Sequence, residues 1–408
     1  MEKAERNSVL IKSTSIWKNK NFVILFISSL LVGFGGRIYE LALPLILFEL
    51  FNSPVIMGTM RAIELLPNLL LAMFIGVWVD RVNQKKLIQL SLIVQFLFLG
   101  ILFYLLMTDN VNLFIFYSFA FILMTFSYTF ENAKISITKK VIDHSLLTSA
   151  NAKFAAISTI VMVAGPALAG LLLIFSDLRI GLLITSIAMF ISSIFISFLN
   201  FESEKKIVKT SFKRDFLDGI KEFKRNKPLL KITFLVIFIN STAGIFGIMF
   251  IYYTKEILSY NSAQIGIVFS VLGLGGLVGS LIIDRVRKAL SIGPLLGYTF
   301  ISIGITYILL FLTDNFYLIC FILFLNGILN TIQAVCIWTF RQETTPQNLI
   351  GRISGLTGSL FKLGAPFAIF GASWIPTIAS VNTIFLGIGL FNLALFFVYR
   401  RLKLWSLI

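Results

Sequence analysis

The sequence predicts an all-helical membrane protein of twelve transmembrane helices, arranged as two parallel six-helix repeats, and three observations carry that prediction. Of the 408 residues, 57% are hydrophobic and 13% are charged, with a mean hydropathy of +0.92; soluble domains carry about 25% charged residues. Twelve apolar segments follow one another along the chain, each of roughly 20 residues and so long enough to cross about 30 Å of hydrocarbon as helix. The chain also repeats itself at about half its length. Gly76 with Asp80-Arg81-Val82 returns as Gly279 with Asp284-Arg285-Val286, Asn52-Ser53 with Gly58 returns as Asn261-Ser262 with Gly266, and Gly165-Pro166 with Gly170 has its counterpart in Ala365-Pro366 with Gly371. Duplication over this length is a signature of repeat-built transporters.

Taken in order, spans 1 to 6 are read at 22–48, 57–79, 86–107, 111–133, 153–175 and 180–201. Spans 7 to 12 follow at 231–254, 263–283, 292–313, 316–338, 350–374 and 380–399. An even number of spans per repeat makes both halves enter the membrane in the same sense, related by an axis along the membrane normal. Residues 1–201 form the first bundle and 231–408 the second. Between them, 202–230 is charged throughout, with Phe212, Phe216, Ile220 and Phe223 at helical spacing among lysines and arginines. That pattern predicts an amphipathic cytoplasmic linker lying on the inner membrane face, a tether between bundles or a regulatory surface.

Lysine and arginine set the orientation. Thirty of the 35 fall in the N-terminal tail, the connections after spans 2, 4, 6, 8 and 10, and the C-terminal tail; the opposite loops hold only Arg179 and Lys255. Both termini are therefore expected in the cytoplasm of a cell that inserts this chain, multi-pass, in its cell membrane. The net charge of +16 lies almost wholly in those inner loops, where topology and anionic lipid account for it, and no nucleic-acid partner is expected. The first apolar run lacks a cleavage pattern and reads as an uncleaved anchor.

Metal and thiol chemistry have little to work with. Cys320 and Cys336 lie sixteen residues apart on one predicted helix, about 24 Å at helical rise. The single histidine, His144, stands beside Asp143 in a loop, without partners for zinc or haem. No metal or cofactor is expected. Gly275-x-x-x-Gly279 lies inside span 8 and reads as close helix packing rather than a nucleotide loop. No Walker A sequence is present, so energy must come from an ion or substrate gradient.

Charge at membrane depth is costly and usually marks a pathway. Six residues qualify: Arg37 and Glu40 in span 1, Arg61 and Glu64 in span 2, Glu131 in span 4 and Lys362 in span 11. Arg37 with Glu40 and Arg61 with Glu64 are spaced i to i+3, so each pair can share a helix face, while cross-pairing between spans 1 and 2 stays open. A carboxylate beside a guanidinium stays ionised; one that loses its partner in an apolar site takes up a proton. Glu40 and Glu64 are thus candidate proton carriers, against the alternative of permanent ion pairs fixing helix packing. Glu131 is a third candidate, or simply a partner of Lys134. Lys362 has no opposite charge within four residues and needs a partner on another helix, an anionic substrate group or loss of its proton.

These residues resemble the major facilitator superfamily. Gly76-x-x-x-Asp80-Arg81 with Lys85 and Lys86 looks like its signature A, and Gly165-Pro166-Ala-Leu-Ala-Gly170 like the antiporter-associated motif C. Ala42-Leu43-Pro44, Leu65-Leu66-Pro67, Ser149-Ala150-Asn151-Ala152, the linker from Gly219 to Pro228 and Gly351-Arg352 resemble the drug:proton antiporter-3 group, which includes macrolide efflux proteins, the enterobactin exporter and exporters of self-made peptide antibiotics. The sequence departs from signature A at Asn83-Gln84, where a second glycine is usual, and from motif C at Val161-Met-Val-Ala164, where glycines are usual.

The resemblance implies a cytoplasmic gate in which Asp80 and Arg81 latch onto the start of span 11 near Arg352, with Asp284 and Arg285 in the corresponding place. A carboxylate facing a helix N-terminus and a guanidinium is physically favourable. Positive-inside topology alone accounts for Lys85 and Lys86 but not for an aspartate at the same place in both halves. The resemblance also implies that spans 1, 4, 7 and 10 line a central cavity. Arg37, Asn240, Tyr252 and the stripe Asn326, Asn330 and Gln333 are then candidates for binding substrate, the alternative for the stripe being interhelical hydrogen bonding; Lys362 in span 11 is a further candidate, through its want of a nearby opposite charge.

The function expected is proton-coupled export of a small amphipathic compound, an antibiotic such as a macrolide or a product of the cell's own biosynthesis, by a monomer in contact with membrane lipids. A lysophospholipid flippase with Lys362 or Arg37 meeting the phosphate is the alternative. A polytopic membrane enzyme is a more distant one, since one histidine and no surface pair of acids leave little for catalysis.

Overall fold

With no water inside the bilayer, every backbone amide must be bonded within its own segment, and helix is the only solution an apolar run of this length has. The computed structural model describes residues 15–108, 111–143, 146–175, 177–201, 220–221, 223–345 and 350–406, and the regular structure among them is helical. Spans 1 and 3 to 6 are the helices Lys20–Phe51, Gln84–Met107, Leu113–Val141, Leu147–Phe175 and Leu178–Ser197. Spans 7 to 10 and 12 are Lys227–Glu256, Ser262–Ala289, Ile292–Phe311, Phe316–Thr344 and Asn382–Arg401. These ten are long and apolar enough to cross a membrane. Spans 2 and 11 are each broken in two, as Pro54–Leu70 with Ala72–Arg81 and as Ile350–Leu360 with Ala365–Ala372. Several helices outrun the apolar segments on the basic face, span 4 to Val141 and span 10 to Thr344, because hydropathy marks the edge of the hydrocarbon and not the end of the helix.

Helix starts are set by asparagine. Asn19, Asn83, Asn112, Asn226 and Asn315 each accept a hydrogen bond from a backbone N–H in the first turn of spans 1, 3, 4, 7 and 10, the usual N-cap arrangement. The repeated Asn-Ser pair does two different jobs. Asn261 caps span 8 in a reciprocal box with Gln264, whereas Asn52 ends span 1 in the left-handed conformation (φ 44°) and Ser53 caps span 2.

The two halves repeat one packing scheme. Span 1 packs on spans 5 and 6, span 3 on spans 4 and 6, and span 2 on span 4; spans 7, 9 and 8 pair in the same way with spans 11 and 12, 10 and 12, and 10. Between the halves, span 2 packs on span 11 and span 5 on span 8, two contacts that a two-fold axis between the repeats interchanges. Span 8 approaches span 10 through glycine, as its sequence predicts: a Cβ on Gly279 would stand 2.7 Å from the Ile328 carbonyl oxygen.

One apolar core runs through the first half and across into the second, while the basic-face end of the second half has its own core around Leu235, Phe300, Phe340 and Tyr399. Phe223 of the expected linker packs on that second core; most of the linker, and His144, lie outside the described residues.

Candidate transport site

Where the halves meet, the face opposite the basic loops is closed. Gly58 of span 2 lies against Ser373 just past span 11, where a Cβ would come within 2.7 Å of Oγ. On the other side of the axis Gly170 lies against span 8, where a Cβ would stand 2.6 Å from the Ser262 carbonyl oxygen and 2.9 Å from Gly266 Cα. Gly170 is thus a contact that only a bare Cα can make. Lys255 at the end of span 7 meets Glu49 at the end of span 1 at 3.4 Å, and Tyr252 stands edge-on to Phe48 at 5.7 Å. Tyr252 therefore belongs to this seal, and it lines neither the groove along span 4 nor the cavity between the halves.

Toward the basic face the halves separate. The inner part of span 2 packs on spans 3 and 4 of its own half, and neither Gly76 nor Gly358, on the inner parts of spans 2 and 11, has anything within 4 Å of its Cβ position. A groove of about 560 Å³ runs from Arg37 and Glu40 past Glu131 to Lys139 and Asn151. A second cavity, of about 470 Å³, lies between the halves and shares Arg37 and Glu40 with the first; Arg61, Asn240 and Lys362 join its wall. The rest of that wall is largely apolar, with Leu41, Pro44, Leu65, Ile248, Ile251 and Phe269.

Spans 1 and 2 contribute a continuous chain of charge. Arg37 Nη1 bonds Glu40 Oε2 at 2.6 Å, Glu40 Oε1 lies 3.8 Å from Arg61 Nη2, and Arg61 Nη1 bonds Glu64 Oε2 at 2.9 Å. Both the i to i+3 pairs and one of the cross-pairs that the sequence left open are present together. Glu64 is buried at 6% exposure with the Tyr39 hydroxyl buried beside it, whereas Glu40 faces both cavities. The Arg37 stem lies on Gly165 of motif C, where a Cβ would come within 2.7 Å of Arg37 Cγ. Motif C thus holds the charged chain with one glycine and the closed face with another.

Glu131 pairs with Lys134 at 2.7 Å along the first groove. Asn240 donates from Nδ2 to the Phe361 carbonyl at 2.8 Å, bracing the break in span 11 where Lys362 sits. Lys362 reaches across to span 4, with Nζ 5.9 Å from the centre of the Tyr128 ring. Two of the three residues in the polar stripe on span 10 are placed otherwise than the cavity expectation had them. Asn326 and Gln333 are buried and donate to Thr306 Oγ1 at 2.7 Å and Thr299 Oγ1 at 3.0 Å on span 9, and Asn330 donates back to Asn326. The two bonds to span 9 are interhelical, whereas Asn330 lines a further cavity of about 470 Å³ with Thr159 of span 5 and Gly276 of span 8. Asn326→Leu should accordingly cost about 0.6 kcal/mol of stability and leave substrate affinity unchanged, as thermal unfolding and a binding titration would read out.

The gate residues divide. The side chains of Asp80, Arg352 and Pro166, and with them the latch expected of Asp80, lie outside the described residues. Arg81, Asp284 and Arg285 are exposed. Lys85 has a second use: its Nζ donates to the Ser197 and Leu199 carbonyls at 2.7 Å each, where a cation suits the C-terminus of span 6. Gln84, in the departure from signature A, is buried and bonds the Val79 carbonyl and Lys140. Sequence reasoning did not foresee Glu49 or Tyr128. Glu49 could have been found as a charged residue at the same membrane depth as Lys255, on a face with only two basic residues.

Twelve crossings in two matched halves, closed at one end and opened at the other around embedded charge, define a multi-pass membrane transporter. A family model described as Major Facilitator Superfamily matches residues 25–369, and the chain belongs to that superfamily. It is 26% identical over 220 residues to "Putative bacilysin exporter BacE" of Bacillus subtilis (strain 168), a match covering 52% of this chain and 53% of that protein, so that about half of the relative's length is spanned. It is 22% identical to the uncharacterised MFS-type transporter YkuC of the same organism, over 94% of this chain and 92% of that one. Among solved structures, the nucleoside transporter NupG is matched with a TM-score of 0.77 at 14% identity over 94% of this chain and 99% of that one. A bacterial homologue of the iron transporter ferroportin in an inward-facing state is matched at 0.73 and 16%, over 93% and 98%. These two structures share the fold.

Proposed function

We propose that this transporter exports a small amphipathic compound from the cytoplasm in exchange for protons, with Glu40 as the group that carries the proton. The observation behind this reading is the position of Glu40: it is the carboxylate that faces both cavities, and Arg37 and Arg61 flank it. The positive-inside rule puts the basic face in the cytoplasm, so the state described is open inward. Substrate enters the cavity between the halves from that side. Closure of the basic face and opening of the other moves spans 1 and 2 against spans 7 and 11, and with them the surroundings of Glu40. A carboxylate parted from its guanidinium in an apolar wall binds a proton from outside, and re-pairing releases it inside. The match to a protein named a putative bacilysin exporter supports export as the direction.

Proteoliposomes challenged with macrolides, peptide antibiotics, dyes and lysolipids test this. One compound is expected to elicit proton movement in the wild type, and Glu40→Gln should reduce that movement at least about tenfold, the scale of a lost general proton carrier. Compound movement without any proton flux would remove the antiport reading, and movement of lysolipids alone would favour a flippase.

A further inference from the structure

Four ionisable side chains reach the cavity between the halves: Arg37, Glu40, Arg61 and Lys362. The two guanidiniums are accounted for, since Glu40 and Glu64 pair with them at 2.6 and 2.9 Å. Lys362 has no carboxylate within ion-pair distance among the described residues, and its described partner is the face of Tyr128. Counting Glu64 behind Arg61, two arginines and one lysine stand against two glutamates, which leaves one positive charge in excess around the cavity.

Topology does not explain this lysine, because it lies within a span and not in a loop. Nor is it loosely held. Asn240 binds the Phe361 carbonyl, and Gly364 lies so close to span 7 that a Cβ there would meet Ile237 at 2.9 Å. The break in span 11 is therefore braced on both sides of Lys362, and its stem points the ammonium into a wall that is otherwise largely apolar. Lys362 is exposed within the cavity; a cation lining a cavity at membrane depth marks a substrate pathway, and an aromatic face balances its charge only in part.

We infer that the cavity takes an amphipathic anion, whose apolar body lies along Leu41, Leu65, Ile248 and Phe269 and whose acidic group, carboxylate or phosphate, pairs with Lys362. The inference rests on the reading of this cavity as the substrate site of the exporter and names the chemistry of what it exports. It separates substrate from proton within one cavity: Lys362 on span 11 holds the anion, and Glu40 on span 1 is left to carry the proton.

Binding to the purified full-length chain tests it without any transport step. A dansyl-labelled fatty acid and its methyl ester differ only in the charge at the head. The wild type should bind the acid at least about tenfold more tightly than the ester, the worth of one charge-assisted hydrogen bond. Lys362→Gln should abolish that preference while leaving ester binding unchanged, and Lys362→Arg should keep it. Lysophosphatidic acid as competitor separates the sources: displacement far stronger than by unlabelled fatty acid makes the natural anion a lipid phosphate, and comparable displacement makes it a general amphipathic acid. Equal affinity for acid and ester, a preference that survives in Lys362→Gln, or binding of neither probe by monodisperse protein would each overturn the inference. A preserved acid preference together with absent proton movement would leave it standing and remove the antiport reading instead.

Discussion

Replacing Gly170 with leucine should reduce transport about tenfold or more while leaving the twelve-span chain folded. The position has no room for a side chain in the closed arrangement of the face opposite the basic loops, where even a Cβ would stand 2.6 Å from the Ser262 carbonyl oxygen and 2.9 Å from Gly266 Cα. Both neighbours are backbone, so no rotamer change relieves the clash. Overpacking of this kind costs about 1–3 kcal/mol, and the cost falls only on the state in which spans 5 and 8 touch. Each 1.4 kcal/mol moves a two-state equilibrium tenfold, so the variant should dwell with that face open. The check is thiol labelling of Phe48→Cys, whose side chain lies in the seal beside Tyr252, with Cys320 and Cys336 replaced by serine. Labelling from the side opposite the basic face should rise with Gly170→Leu; unchanged labelling and unchanged transport would mean that this contact is not part of the cycle.

Glu64 should give the largest effect on stability. Its carboxylate is buried and bonds Arg61 at 2.9 Å, and the next acid, Glu40, is 3.8 Å from that arginine and already holds Arg37. Breaking a buried ion pair by removing one member costs about 3–5 kcal/mol, and since Arg61 is partly open to the cavity, the lower end is expected for Glu64→Ala. Removing both charges with leucines of similar volume should restore most of that loss, because the desolvation cost of the arginine disappears with it. A double-mutant cycle on thermal unfolding measures the coupling. Additive single effects would show that Arg61 and Glu64 do not act as a pair.

How much of this was legible depended on which physical constraint spoke. The membrane leaves helix as the only option for an apolar run, so twelve spans, their order and the two-fold repeat could be read from composition and from the recurring Asp-Arg and Asn-Ser pairs. The four charges of spans 1 and 2 were legible for the same reason, since Arg37, Glu40, Arg61 and Glu64 interrupt otherwise apolar segments. Which way a polar residue faces was not. Asn326 and Gln333 form a polar stripe on a helix that is apolar around the rest of its circumference, and the stripe alone does not tell whether it faces span 9 or the axis. Tyr252 was similarly ambiguous, lying near the end of span 7 where seal and cavity are less than two turns apart. The breaks in spans 2 and 11 follow from tertiary fit as much as from local signals: Pro67 precedes the break at Leu71, but in span 11 it is Asn240, 121 residues away in the chain, that holds the Phe361 carbonyl.

The central claim is that Glu40 couples substrate to protons, and it separates two measurements that a merely structural glutamate would not. Exchange of labelled for unlabelled substrate across a proteoliposome membrane needs no net proton transfer, whereas accumulation driven by a pH gradient does. Glu40→Gln is expected to keep the exchange at close to the wild-type rate and to lose gradient-driven accumulation. Accumulation that persists in the variant would contradict the claim, as would loss of exchange and accumulation together in protein that remains folded.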